Sequence, residues 1–79
     1  MTTTELLRTI ESALELRRPL TLADSADTIK EWDSLGQLAI LVALDKHLNG
    51  RAAAIQALAT CQSVQALADQ LRAHQLLID

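Results

Sequence analysis

Trp32-Asp33-Ser34-Leu35-Gly36 runs directly into Gln37-Leu38-Ala39-Ile40-Leu41-Val42-Ala43-Leu44, a polar turn that opens onto an apolar stretch. The apolar residues recur at helical spacing. Asp33 stands where a side-chain oxygen can accept one of the unpaired N–H groups of a first helical turn. The spacing predicts a helix that starts at Ser34 and ends near Leu48, with Asn49-Gly50 as its C-terminal stop. Leu35, Leu38, Leu41 or Val42, and the Leu44 and Leu48 pair are expected to face inward, with Gly36 and Gln37 outward. Gly36 would let a partner backbone approach closely, at a propensity cost of about 1 kcal/mol relative to Ala.

Upstream, Thr2 and Glu5 have the spacing of a capping box, and Leu6, Leu7, Ile10, Ala13 and Leu14 form one apolar stripe. A first helix is therefore expected over residues 3–17, ended by Pro19, with Arg17 and Arg18 complementing its dipole. Residues 19–33 form a long connection in which Leu20 and Leu22 tuck onto the bundle and Ile29 and Trp32 pin the far end. Long ordered loops in small domains tend to be functional. Downstream, residues 51–58 read as a third, shorter helical segment, almost all Ala with Ile55 and Leu58. Ser63 then reads as the N-cap of a last helix whose Val64, Leu67, Ala68 and Leu71 share a face, ending at about residue 74 or 77. No strand-like alternation or internal repeat interrupts this pattern. The expected fold is all-α: a small four-helix bundle with a long loop between helices one and two, forming one domain over residues 1–79.

At 79 residues the chain buries a modest fraction of its surface and leaves no room for a deep catalytic cleft. Hydrophobic residues make up 49% of it, yet Trp32 is the only aromatic, so Leu, Ile, Val and Ala must build the interior. Cys61 is alone and cannot form an intramolecular disulfide; it reads as a small buried or half-buried hydrophobe in an intracellular protein. The N-terminal residues lack the pattern of a signal peptide and the central apolar run is too short to span a membrane. A soluble, cytoplasmic monomer is expected. Net charge is −3, and the surplus sits in residues 20–33, where Asp24, Asp27, Glu31 and Asp33 face only Lys30. That negative field beside Ser34 would steer basic partner surfaces toward it and repel nucleic acid.

A serine hydroxyl is a poor nucleophile unless a base takes its proton. His47 lies at the far end of the same predicted helix, more than three turns away at about 3.6 residues per turn, and His74 reads as a solvent-facing helix residue. HExxH, CxxC, Gly-rich phosphate-loop and basic aromatic patterns are missing, so metal, nucleotide and nucleic-acid chemistry find no support. The chain is not expected to be an enzyme.

The order Asp33-Ser34-Leu35 at the head of an amphipathic helix, in a short acidic helical chain, resembles the acyl carrier protein family. The resemblance covers nearly the whole chain in length and layout, and its specific part is the Asp-Ser-Leu signature. It implies that Ser34 carries a covalent 4'-phosphopantetheine arm, with Asp33 as acidic neighbour and Leu35 as the apolar residue seating the helix start. It further implies a phosphopantetheinyl transferase, an acyl- or aminoacyl-loading enzyme, and downstream synthase or transferase enzymes as partners. Asp24, Asp27, Glu31, Trp32, Gly36 and Gln37 are then the candidate docking residues. A core without large flat side chains could part around a linear acyl chain.

The chain departs from carriers of fatty-acid synthesis, which usually bear several acids along the helix after the serine. Ala39 stands where an acid is common, Lys46 and His47 replace others, and Leu48 takes a position often held by Phe. A dedicated carrier in a specialised fatty-acid, polyketide or related pathway is expected. Glu31-Trp32-Asp33 differs from the Gly-Gly common in peptidyl carriers, so acyl cargo is favoured over aminoacyl. The rival from another class is a small helical interaction module without a prosthetic group, with Leu and Ala surface offered to a partner helix.

Overall fold

Thr2 opens the first helix, α1 (Thr3–Leu14), in the computed structural model, which describes residues 1–79. Its hydroxyl accepts from Glu5 N at 3.2 Å, and the Glu5 carboxylate accepts from Thr2 N at 2.9 Å, closing the expected capping box. Leu6, Ile10 and Leu14 bury the inner face, and Leu7 and Ala13 flank it half-buried. The helix stops at Leu14 rather than residue 17. Glu15 adopts a left-handed conformation (φ 54°), and Leu16 N reaches back to Glu11 O at 2.9 Å. Pro19 is not the stop, and Arg17 and Arg18 lie beyond the helix rather than in its last turn.

The connection over residues 15–33 is held by named hydrogen bonds. Leu20 N donates to the Glu11 carboxylate at 2.8 Å, and Leu20, Ile29 and Trp32 enter the core. Leu22, expected to tuck in, is exposed. Ala26 N donates to Gln62 O at 2.8 Å and Val64 N to Asp24 O at 3.1 Å, pairing the loop with the start of the last helix.

The second helix, α2, spans Ser34–His47, with Asp33 as N-cap and Leu48 as C-cap; Asn49 (φ 56°) and Gly50 (φ 87°) then turn the chain, as their sequence predicts. Leu44 and Leu48 face inward and Leu41 is partly buried, as expected, but the start of the helix is rotated from the expected face. Gly36, Ile40, Leu44 and Leu48 face the core, whereas Leu35, Leu38 and Val42 face solvent. Apolar residues lie on every side of α2, so hydrophobic periodicity carries no phase, and packing against α1 decides it. α1 and α2 form the main interhelical contact.

Residues 51–58 do not form an α-helix. Two 3-10 turns, Ala52–Ala54 and Gln56–Thr60, are separated by an extended Ile55. Ala52, Ile55, Leu58 and Cys61 are buried at intervals of three, the repeat of a 3-10 helix. The last helix, α3 (Val64–Ala73), is capped by the Ser63 hydroxyl, which accepts from Ala66 N at 3.0 Å, and it fully buries Val64, Leu67, Ala68 and Leu71. The architecture is all-α, with three α-helices and two 3-10 turns around one core of eighteen buried hydrophobic residues. No helix is long and apolar enough to cross a membrane.

Candidate functional site

Asp33 builds the turn that presents Ser34. Its Oδ1 accepts from Gly36 N at 2.9 Å and its carbonyl from Gln37 N at 2.8 Å, satisfying two of the first-turn donors of α2. The N–H groups of Ser34 and Leu35 make no hydrogen bond within the chain, and both residues are exposed. Ser34 is thus the first residue of α2, at the positive end of its dipole, with its hydroxyl open to solvent.

Gly36 locks this turn onto the body of the protein. A Cβ at Gly36 would collide with the carbonyl oxygen of Glu31 and stand 2.9 Å from Leu14 Cδ2. The close approach is therefore internal, against the preceding loop and α1, and not toward a partner. Gln37 is half-buried and acts as a bridge. Its Oε1 accepts from Trp32 Nε1 at 2.6 Å, while its amide nitrogen lies 2.9 Å from Cys61 O and 3.3 Å from both Leu58 O and Ala59 O. The Ser34 turn is thereby tied to the second 3-10 turn. A shallow polar recess of about 420 Å³ beside the serine is lined by Trp32, Asp33, Ser34, Gln37 and Gln62.

The docking candidates separate once placed. Trp32 and Gly36 are buried and have no free surface for a partner. Asp24 is also buried: its carboxylate accepts from Thr21 N at 2.9 Å, from the Thr28 hydroxyl at 2.9 Å and from the Thr21 hydroxyl at 3.2 Å, and faces Arg18 at 3.5 Å. Those hydrogen bonds, with Arg18 adding to them, hold the carboxyl below the usual carboxylate range. Asp24 is an organiser of the loop. Asp27, Glu31 and Asp33 remain exposed. Leu35 does not seat the helix start, since it is the most exposed of the large hydrophobic side chains; Gly36 does that work.

The histidines are engaged elsewhere. His47 Nε2 lies 3.8 Å from the Glu5 carboxylate, and His74 Nδ1 lies 3.0 Å from Gln70 O. Burial raises the Cys61 thiol, with Asp69 adding to the shift, and its Sγ donates to Ala57 O at 3.2 Å, so this thiol is a packed, unreactive group.

A groove of about 290 Å³ runs between the outer flank of α2 and the 3-10 turns, lined by Leu41, Val42, Asp45, Ala52, Ala53, Ile55, Gln56, Leu58 and Ala59. Asp45 ties α2 to the first 3-10 turn across it, its Oδ1 accepting from Ala53 N at 2.9 Å. Sequence reading singled out Ile55 and Leu58 in this Ala-rich segment but missed the groove. The signal was available in the all-round apolarity of residues 35–44, because one helix in so small a chain cannot bury every face. Comparison with protein-family models, with curated proteins and with solved structures finds no match.

Proposed function

We propose that this chain is a stand-alone acyl carrier: Ser34 accepts a 4'-phosphopantetheine arm, and the chain shuttles cargo among enzymes of a specialised fatty-acid, polyketide or related pathway. The observation that carries the reading is the exposed Ser34 hydroxyl as first residue of an Asp33-capped α2, with two uncommitted N–H groups beside it. Those donors and the helix dipole favour a phosphodiester at this position. The arm, once attached, supplies a thiol that holds acyl groups as thioesters.

In the transfer, the serine oxygen would form a new bond to the β-phosphorus of coenzyme A while the pyrophosphate bond breaks, releasing 3',5'-adenosine bisphosphate. The base that takes the serine proton belongs to the transferase, because neither histidine of this chain is paired with Ser34. The chain's own part is presentation. Asp33 fixes the turn, Gly36 seats it against Glu31 and Leu14, and Gln37 braces it against residues 58–61. Tethering raises the effective concentration of cargo at a docked enzyme, so docking can remain weak and reversible.

The groove along α2 favours acyl over aminoacyl cargo, since seven of its nine lining residues are aliphatic and only Asp45 and Gln56 are polar. A second reading, a helical interaction module without a prosthetic group, draws on the exposed Leu35, Leu38 and Val42. Intact-mass measurement of the chain and of Ser34→Ala, each incubated with coenzyme A, magnesium and a promiscuous phosphopantetheinyl transferase, separates the two readings.

A further inference from the structure

Of the five surface recesses, one alone has no carboxylate in its lining. It measures about 420 Å³ and lies between α1 and α2, walled by Arg8, Thr9, Ser12 and Ala13 on one side and by Ala43, Lys46 and His47 on the other. The two helices run antiparallel, with Leu14 against Gly36 and Glu5 against His47, so the middle of α1 meets the last turn of α2. The short side chains of Ala13 and Ala43 leave open the space that the longer cations border. Neither Arg8 nor Lys46 has a side-chain hydrogen bond or ion pair within the chain, and the Ser12 hydroxyl is equally free.

The isolation of Arg8 has an identifiable cause. Its helix neighbours three residues away on either side are Glu5 and Glu11, a spacing at which acids ordinarily pair with a base. Glu5 has one carboxylate oxygen on Thr2 N at 2.9 Å and the other 3.8 Å from His47, while Glu11 accepts from Leu20 N at 2.8 Å. Lys46 and His47 complement the negative end of the α2 dipole, a reason that does not extend to Arg8 in the middle of α1. The carbonyls of Leu44 and Asp45 are taken by Leu48 N and Gly50 N, so that helix end offers little competing negative charge.

We propose that this recess binds a small phosphate-type anion, held by the Arg8 guanidinium from α1 and the Lys46 ammonium from α2, with the Ser12 hydroxyl as a further donor. A guanidinium presents paired N–H groups that match two phosphate oxygens, and an ammonium adds a point charge. No ion pair has to break to admit the anion, because both cations are unpaired. The bound anion clips α1 to α2 and thereby favours the folded chain. The site is separate from Ser34: Lys46 lies twelve residues along α2, roughly 18 Å at about 1.5 Å per residue.

The isotope-labelled full chain is titrated with sodium phosphate at constant pH and ionic strength, chloride making up the balance, and amide resonances are followed. Residues 8–13 and 43–47 are expected to shift saturably with a dissociation constant of about 5 mM, and Arg8→Gln and Lys46→Gln each to weaken it about fivefold. At about 20 mM phosphate the Tm of the unmutated chain is expected to rise about 5 °C more than that of the double variant, a comparison that cancels the general stabilisation by an excluded salt. Both side chains are exposed and unpaired, so the variants keep the fold, which circular dichroism verifies. Vesicles of phosphatidylcholine with about one fifth phosphatidic acid separate the sources of the phosphate. Co-sedimentation that needs Arg8 and Lys46 assigns a lipid headgroup, and saturable titration without co-sedimentation assigns a free anion.

A linear drift of resonances across the whole chain overturns the proposal, as does a titration unaltered in the double variant. Saturable shifts confined to residues 34–37 overturn it in favour of the N-terminus of α2. None of these results bears on the carrier reading of Ser34.

Discussion

The indole Nε1–H of Trp32 donates to Oε1 of Gln37 at 2.6 Å, across the turn that holds Ser34. The other end of the same amide faces three carbonyls of residues 58–61, with Cys61 O nearest at 2.9 Å. Two N–H groups serve three acceptors, so the 3.3 Å contacts to Leu58 and Ala59 share one hydrogen. A single side chain thus satisfies a buried indole and braces the 3-10 wall of the groove. Gln37→Met keeps the volume and removes both functions, leaving polar groups unsatisfied at about 1–3 kcal/mol. The expected outcome in urea unfolding is a loss of that size, with altered Trp32 emission in the folded state.

Gly36→Ala separates local propensity from tertiary fit. In an exposed helix the change would stabilise by about 1 kcal/mol. Here the new methyl meets the Glu31 carbonyl, a backbone atom that cannot swing aside. Thermal unfolding is expected to show a lower Tm, and a higher one would mean that the loop before Ser34 yields freely.

The first and last helices were legible because each confines its apolar residues to one stripe: Leu6, Ile10 and Leu14, and Val64, Leu67, Ala68 and Leu71. Their caps at Thr2 and Ser63, and the N-cap at Asp33, were legible for the same local reason. The rotation of α2 was not, because a helix apolar on all sides has no preferred face until α1 packs on it. The Ala-rich stretch favoured an α-helix by propensity. Its burial of Ala52, Ile55, Leu58 and Cys61 at every third residue suits a 3-10 path instead. The exposure of Ser34 followed from its place at a helix start; the roles of Gly36, Gln37 and Asp24 depend on partners distant in sequence or in the loop.

Asp24 makes the loop sensitive to acid. Its folded-state pKa is lowered by hydrogen bonds from the Thr21 N–H, then the Thr28 hydroxyl, so the unfolded chain binds more protons as pH falls. The stabilisation is fully present above the ordinary Asp pKa of the unfolded chain and is lost as pH falls through the lowered folded value. Glu5 and Asp79 are lowered as well, by Thr2 and Thr3 respectively, and contribute in the same direction. Asp24→Asn is expected to flatten part of the acid limb in urea unfolding followed from pH 7 downward, and an unaltered limb would assign it to the other two.

Glu15 occupies a left-handed conformation at φ 54°, which costs a non-glycine residue about 1 kcal/mol. Its side chain is exposed. Glu15→Gly is expected to raise stability by about 0.5–1 kcal/mol in urea unfolding.

The carrier reading rests on one hydroxyl, and mass spectrometry reads that hydroxyl directly. The purified chain and Ser34→Ala are incubated with coenzyme A, magnesium and a promiscuous phosphopantetheinyl transferase, and intact masses are recorded. A gain of one phosphopantetheine on the unmutated chain, with none on Ser34→Ala, is the predicted result. No gain with several transferases on protein shown to be folded, or a gain that persists in Ser34→Ala, contradicts it.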